Sequence, residues 1–269
     1  MAAVIGDPVK HSLSPVLHNA AFRALGLDWA YLAFEVSRGE AGDAIVGARA
    51  LGIDGLSVTM PHKEAVARAV DRLSATAERL GAVNTVVREG GDLVGENTDG
   101  QGFLDALRVD HGFDPADRRC VVVGSGGAAR AVILALVEAG AADVAVLGRS
   151  AERVAAAAAL AGRRARPGSA AEVGEADLVA NATPVGMAGH PEGPPVDATL
   201  LGPGQVVVDL VYHPAITPLL AAARERGAVA VGGLGMLVHQ AAHAFRLWTG
   251  QEPPLEVMSA AAVQALALP

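Results

Sequence analysis

RCVVVGSGGAARAVILALVEAG, residues 119–140, decides the fold. Residues 119–123 form an apolar run with both faces hydrophobic, as expected of a central parallel strand covered by helices. A helical pattern follows over 126–140. Between them stands Gly124-Ser125-Gly126-Gly127-Ala128-Ala129, a GxGxxA. Gly124 allows a tight turn, Gly126 lets backbone approach a pyrophosphate, and Ala129 is small enough for the helix to lie close on the strand. The free N–H groups at the helix start face the anion. The same glycines without the flanking strand and helix would say little.

Outward from this stretch the alternation continues. Strands are predicted at 143–148, 177–183, 205–212 and 229–233, with helices at 150–162 and at 216–227, the latter ended by Gly227. This is a doubly wound, dinucleotide-type unit. The tip of the second strand reads Leu147-Gly148-Arg149-Ser150, with Arg153 one turn on. A site for NAD usually has Asp or Glu there, for the ribose hydroxyls. Two guanidiniums and a hydroxyl instead suit a ribose 2′-phosphate, since arginine matches phosphate bidentately. The cofactor read from these residues is NADP.

The first hundred residues show a second alternation. Strands are predicted at 2–6, 29–36 and 55–58, and a hairpin at 84–89 and 92–96 across Gly90-Gly91. Helices are predicted at 15–27, with Ser14 as N-cap and Pro15 in the first turn, and at 42–52. Residues 235–268 read as two helices parted by Pro253-Pro254. They lie beyond the last strand of the second unit and are expected to fold back onto the first. The expected domains are 1–103, 104–234 and the C-terminal helices 235–269. The Ala-rich 154–161 and Pro/Gly-rich 184–204 are local biases.

Composition agrees with an α/β protein: 269 residues, 51% hydrophobic and only 3% aromatic, so that small residues pack helices onto sheets. The net charge of −8 and the lack of a basic run argue against a nucleic-acid partner. Cys120 stands alone, which excludes an internal disulfide and a cysteine zinc site, and it reads as a buried small apolar residue. The N-terminus lacks the pattern of a signal peptide. The uncharged run 227–245 contains four glycines, two histidines and a glutamine, against a membrane span. A cytoplasmic protein without membrane contact is expected. His239 and His243 are spaced i,i+4 but lack an HExxH frame, so no metal site is expected.

Polar clusters mark the chemistry of the first half. Lys63 follows LSVTMPH, one turn past a strand and behind Pro61. Taken alone it reads as a surface charge. Ser12 and Ser14 place two hydroxyls at a helix start, a plausible grip for a carboxylate. Asn84-Thr85 and Asn97-Thr98-Asp99-Gly100 flank the hairpin, and Asp99 opens a helix where a carboxylate is favoured.

Taken together, GDPVKHSLSP, SVTMPHK, GAVNT, ENTDGQGF, GSGGAAR, NATPVGM, DLVYHPAITPL and GLGMLVHQAAHAF resemble the shikimate dehydrogenase family, in the family's order over nearly the whole chain. The resemblance implies an N-terminal substrate domain with a mixed, mostly parallel sheet, a Rossmann-type NADP-binding domain, and C-terminal helices returning to the N-terminal domain. It implies NADP-dependent, reversible reduction of 3-dehydroshikimate to shikimate, a step toward chorismate and the aromatic amino acids. Lys63 and Asp99 match the catalytic pair. Ser12 and Ser14 match the carboxylate clamp, with Tyr212 near it, and Thr59, Asn84 and Gln240 match positions that bind ring hydroxyls. Gly124, Ser125, Gly126, Gly127, Ala128, Arg149, Ser150, Arg153, Thr183, Gly235 and Met236 fall at the cofactor. The partner is a small-molecule substrate, and the chain is expected as monomer or homodimer. Two positions depart from the family's pattern: Gly148 replaces an asparagine, and a glycine at 232 or 233 stands where relatives often carry a polar residue. Quinate and aminoshikimate dehydrogenases are the rival readings within the family, and a non-catalytic NADP-binding sensor is the rival outside it.

Overall fold

The computed structural model describes residues 1–190 and 193–267. Its strands are β1 (Ala2–Gly6), β2 (Tyr31–Glu35), β3 (Gly55–Val58), β4 (Arg72–Leu73), β5 (Thr85–Glu89), β6 (Asp92–Glu96), β7 (Arg119–Val123), β8 (Asp143–Leu147), β9 (Ala165–Pro167), β10 (Leu178–Asn181), β11 (Val206–Asp209) and β12 (Val229–Gly232). Its α-helices are α1 (Ser14–Ala24), α2 (Ala41–Ala50), α3 (Lys63–Ala67), α4 (Ala75–Leu80), α5 (Asp99–Asp105), α6 (Gly127–Glu138), α7 (Ala151–Ala159), α8 (Pro218–Glu225), α9 (Leu234–Thr249) and α10 (Leu255–Leu266). Residues 191–192 of the Pro/Gly-rich stretch and residue 268 of the expected C-terminal helices lie outside the described residues.

The chain divides into two compact units, residues 1–102 with the segment from Val238 onward, and Phe103–Leu237. The first unit holds a six-stranded mixed sheet in the order β2-β1-β3-β5-β6-β4. β1 runs parallel to both β2 and β3. The β5–β6 hairpin is antiparallel to β3, and β4 closes the sheet parallel to β6. Every residue of β1 is buried, and its alanines and valine let helices lie close. β2 is shorter than expected, because it is an edge: Tyr31 is buried, whereas Leu32 to Glu35 are exposed. From Val238 on, α9, together with α10, belongs to this unit. α10 packs on α1, and Trp248 of α9 donates from Nε1 to the carbonyl of Val86 in β5 at 2.9 Å.

The second unit is a six-stranded sheet, β12-β11-β10-β7-β8-β9, parallel throughout. β7, the strand predicted to be central, lies between β10 and β8. Cys120 is buried in it, with its thiol pushed up to about 12 by burial. Val121, Val179 and Val207 join Leu219 and Ala223 of α8 in a core cluster. β10 and β11 end two and three residues before their expected ends. At both ends a side chain captures the backbone: Asn181 Oδ1 accepts from Thr183 N at 3.0 Å, and Asp209 Oδ1 accepts from Val211 N at 3.1 Å. Such local side-chain bonds compete with the strand ladder and turn the chain. Among the described residues no helix is long and apolar enough to cross a membrane.

Candidate active site

β3 delivers the chain to the corner Thr59–His62, where Thr59 N donates to Ile5 O at 3.0 Å. His62 is buried, and its Nε2 lies 2.7 Å from the carbonyl oxygen of Val36. A carbonyl only accepts, so Nε2 carries the proton there. α3 then begins at Lys63 itself, and the Lys63 carbonyl accepts from Val83 N at 2.9 Å. The lysine is therefore held through the preceding residue, His62, and through its own carbonyl. Its side chain is only 16% exposed, and its Nζ is ion-paired with Asp99 Oδ2, whose side chain is 7% exposed. This is no surface charge.

The β5–β6 hairpin supplies the partner. Because Thr85 pairs with Glu96, residues just outside that pair, Asn84 and Asn97 to Asp99, come together. Asp99 opens α5, and its second oxygen, Oδ1, accepts from Asn84 Nδ2 at 2.7 Å. Asn84 Oδ1 accepts from Thr98 N at 2.8 Å and from Thr85 Oγ1 at 3.0 Å. Gln240, from α9, joins through Oε1, 3.4 Å from Asn84 Nδ2, and through its carbonyl, which accepts from Thr98 Oγ1 at 3.1 Å. Lys63, Asp99, Asn84 and Gln240 thus form one polar cluster. Thr59, half-buried, stands one turn before Lys63.

Ser14 is placed differently from the expected N-cap. α1 begins at Ser14 rather than after it, and its cap is Leu13, with no side-chain bond. The preceding residues already turn, with Ser12 N donating to Val9 O and Leu17 N to Leu13 O. The Ser14 side chain is accordingly released from capping. It is buried and bonded to the Tyr31 hydroxyl, which in turn donates to Ser57 Oγ at 2.6 Å. Ser12 stays half-buried, its Oγ accepting from Ser14 N at 3.3 Å.

In the second unit the turn after β7 takes the expected form. Gly124 has φ of 128°, a conformation open to glycine, and a Cβ there would lie 2.9 Å from Ala182 O. The same Cβ would lie 3.3 Å from that of Ala129. α6 starts at Gly127 with Gly126 as cap, no capping side chain and no acidic residue in its first turn. A Cβ at Gly126 would meet nothing within 4 Å, which is the open backbone a pyrophosphate needs. Ser125, Gly127 and Ala128 are half-buried around it.

At the tip of β8, Arg149 and Arg153 are exposed and hold no carboxylate among the described residues. Arg72, Arg118, Arg119, Arg166 and Arg246, by contrast, each pair with an acid. Ser150 caps α7, accepting from Arg153 N at 3.4 Å. The departure at Gly148 has a packing reason: a Cβ there would lie 2.8 Å from Val154 Cγ2 of α7. Open amides at a helix start and two uncommitted guanidiniums fit a dinucleotide that carries an additional phosphate.

Thr183 lies just past β10 and donates from Oγ1 to Asn181 Oδ1 at 2.6 Å. Tyr212 lies past β11, half-buried, with its hydroxyl pushed above the usual range by burial. Gly235 and Met236 sit in the first turn of α9, Met236 buried. Burial also raises the carboxyl of Asp209, against the bonds from Thr217, Val211 and Asn181 that lower it. Among the described residues, no three His, Cys, Asp or Glu side chains are grouped to hold a metal ion. Sequence reasoning missed His62, Thr98, Asn181 and Asp209 as organisers. Each stands inside a motif already quoted: His62 and Thr98 adjoin Lys63 and Asp99, Asn181 is two residues before Thr183, and Asp209 three before Tyr212.

A lysine–carboxylate pair on one α/β unit and a phosphate-ready glycine turn on a doubly wound unit define a dinucleotide-dependent oxidoreductase. Comparison with known proteins narrows this class. Residues 4–86 match the family model of the shikimate dehydrogenase substrate binding domain, and residues 233–263 that of the shikimate 5′-dehydrogenase C-terminal domain. Residues 119–211 match an NADP oxidoreductase, coenzyme F420-dependent, model. A shikimate dehydrogenase (NADP(+)) from Moorella thermoacetica is 47% identical, covering 96% of this chain and 90% of its own. One from Methanopyrus kandleri is 46% identical, covering 99% and 96%. A crystal structure of shikimate 5-dehydrogenase from Thermus thermophilus, in complex with NADP(H) and shikimate, superposes with a TM-score of 0.91. It is 41% identical and covers 98% of each chain. The chain belongs to the shikimate dehydrogenase family.

Proposed function

We propose that the protein catalyses the NADP-dependent, reversible reduction of 3-dehydroshikimate to shikimate, in the route to chorismate and the aromatic amino acids. The observation that carries this reading is the buried Lys63–Asp99 pair, tied through Asn84 to Gln240. Residues 1–103 with the helices of 235–269 serve as substrate domain, and 104–234 as cofactor domain. The setting proposed is the cytoplasm, for a monomer or homodimer acting on a free metabolite.

Shikimate is a carboxylate bearing three hydroxyls. Thr59, Asn84 and Gln240 bind the hydroxyls, and Ser12 and Ser14 bind the carboxylate with Tyr212 near it. NADP, when bound, supplies the acceptor for the hydride leaving C3. Lys63 takes the proton of the C3 hydroxyl as the carbonyl forms, and returns it to the developing alkoxide in the reverse direction. Asp99 holds the amine in place and accepts from a neighbouring hydroxyl. Gly124, Ser125, Gly126, Gly127 and Ala128 receive the pyrophosphate, and Arg149, Ser150 and Arg153 the 2′-phosphate. Thr183, Gly235 and Met236 serve the nicotinamide end. A sensor that only bound NADP would have no use for a buried lysine–carboxylate pair, since holding two charges away from water costs free energy.

The test is a set of initial rates with shikimate or quinate, each with NADP+ or NAD+. Turnover mainly with shikimate and NADP+ is expected. Preference for quinate would overturn the substrate, and comparable rates with NAD+ would overturn the role of Arg149 and Arg153. Absence of turnover in all four combinations would favour aminoshikimate or the sensor.

A further inference from the structure

Asn181 and Asp209 end adjacent parallel strands in register, and both side chains are fully buried. Among the described residues, no cation pairs with the Asp209 carboxylate. It is held instead by three donors: Asn181 Nδ2 at 2.9 Å, Thr217 Oγ1 at 2.6 Å and Val211 N at 3.1 Å. A carboxylate accepts only, so its contact with Asn181 fixes which end of that amide faces it. The NH2 group of Asn181 points to Asp209, and also donates to Val185 O at 3.2 Å. Its oxygen must then face the other way, where it accepts from Thr183 N and Thr183 Oγ1. The hydroxyl proton of Thr183 is thereby committed inward. What Thr183 Oγ1 offers elsewhere is lone-pair density, part of which accepts from Val185 N at 3.3 Å.

We propose that Asp209 is a positioning residue for the cofactor: through Asn181 it sets the donor–acceptor polarity of Thr183. It also fixes the course of the two loops, 181–187 and 209–217, that follow β10 and β11. In doubly wound sheets ligands are received outside the carboxyl ends of the strands, which is where both loops begin. The second arm of the carboxylate reaches Thr217, whose Oγ1 also caps α8 by accepting from Leu220 N at 3.3 Å. One buried anion therefore joins both loops and a helix start. The inference rests on the placing of Thr183 at the cofactor under the proposed function.

The chain tested is the full-length protein, with steady-state kinetics and thermal melts of Asp209→Asn, Thr183→Val and the double variant. Asparagine at 209 keeps the size but puts an NH2 group where either Asn181 or Thr217 already donates. The expected result is a rise in KM for NADP+ of about 3- to 10-fold, the scale of one hydrogen bond, with KM for shikimate little changed. The double variant should be no worse than the poorer single one, because both act through the same hydroxyl. A lower melting temperature with unchanged KM for NADP+ would overturn the proposal, as would strictly additive effects. If Thr183→Val itself leaves KM for NADP+ unchanged, it is the cofactor role of Thr183 that fails. Should Asp209→Asn not fold, Asn181→Ala cuts the same relay while leaving the carboxylate two donors, and is read by the same criterion.

Discussion

Lys63 owes its setting to its neighbours in the chain. His62 anchors the corner through Val36, and Val83 N holds the lysine's own carbonyl, so the side chain departs from a fixed point toward Asp99. Fixed geometry is what a proton-transfer group needs, because its contribution depends on reaching the reacting oxygen. Replacing Lys63 by Ala is expected to lower kcat by about 10²–10⁴-fold, the usual range for such a group. KM for shikimate should change far less, since the hydroxyl and carboxylate contacts proposed for Thr59, Asn84, Gln240, Ser12 and Ser14 do not involve the lysine. Steady-state rates with both substrates saturating check this, and a kcat within about threefold of the parent would remove Lys63 from the proton path. The lysine alone was unreadable as chemistry: a charge behind a proline looks like surface. What could not be seen was burial, and burial depends on Asn84 and Asp99, which lie 21 and 36 positions away and meet it only through the hairpin.

Elements were legible where a long periodic run spoke for them and less so where side chains intervene. The stretch 119–140 gave strand, turn and helix nearly in place, because both-face burial of Val121 and Val122 and the glycines at 124–127 leave few alternatives. β4 and β9 have two and three residues, too short to show a period. The ends of β10 and β11 moved because Asn181 and Asp209 bond their own following backbone, a choice propensity does not reveal. Ser14 looked like a cap, yet the turn before it had already started the helix. The return of α9 to the first unit rests on a contact no pattern predicts: a Cβ on Gly55 of β3 would lie 2.5 Å from Trp248 Nε1. Gly55→Ala must displace that indole from its bond to Val86 O. Overpacking of this kind costs about 1–3 kcal/mol, so the urea midpoint should fall and the tryptophan emission should shift. An unchanged midpoint would mean that the indole seat is loose.

At the scale of the whole molecule, pH acts on stability through a histidine that chemistry does not use. His18 is fully buried in the first unit, stacked 4.4 Å from Tyr31 and ringed by Trp248, Phe22 and Phe245. Among the described residues, neither ring nitrogen has a hydrogen-bond partner. Burial therefore lowers its pKa from 6.5 to about 3. In the unfolded chain the same imidazole titrates near its ordinary value. Below about pH 6.5 the unfolded state binds a proton that the folded state refuses, and stability is lost as pH falls, with a limiting slope of about 1.4 kcal/mol per pH unit until the folded pKa is reached. Between pH 7 and pH 5 the loss from this one residue amounts to about 2 kcal/mol. His18→Phe keeps an aromatic ring in the stack and removes the titration. Denaturant unfolding of the parent and this variant at both pH values isolates the effect, since other titrating groups are common to the two. The parent should lose about 2 kcal/mol more than the variant. Parallel losses would show that the imidazole is protonated in the folded protein, and that the aromatic cluster admits a charge that its packing is built to exclude.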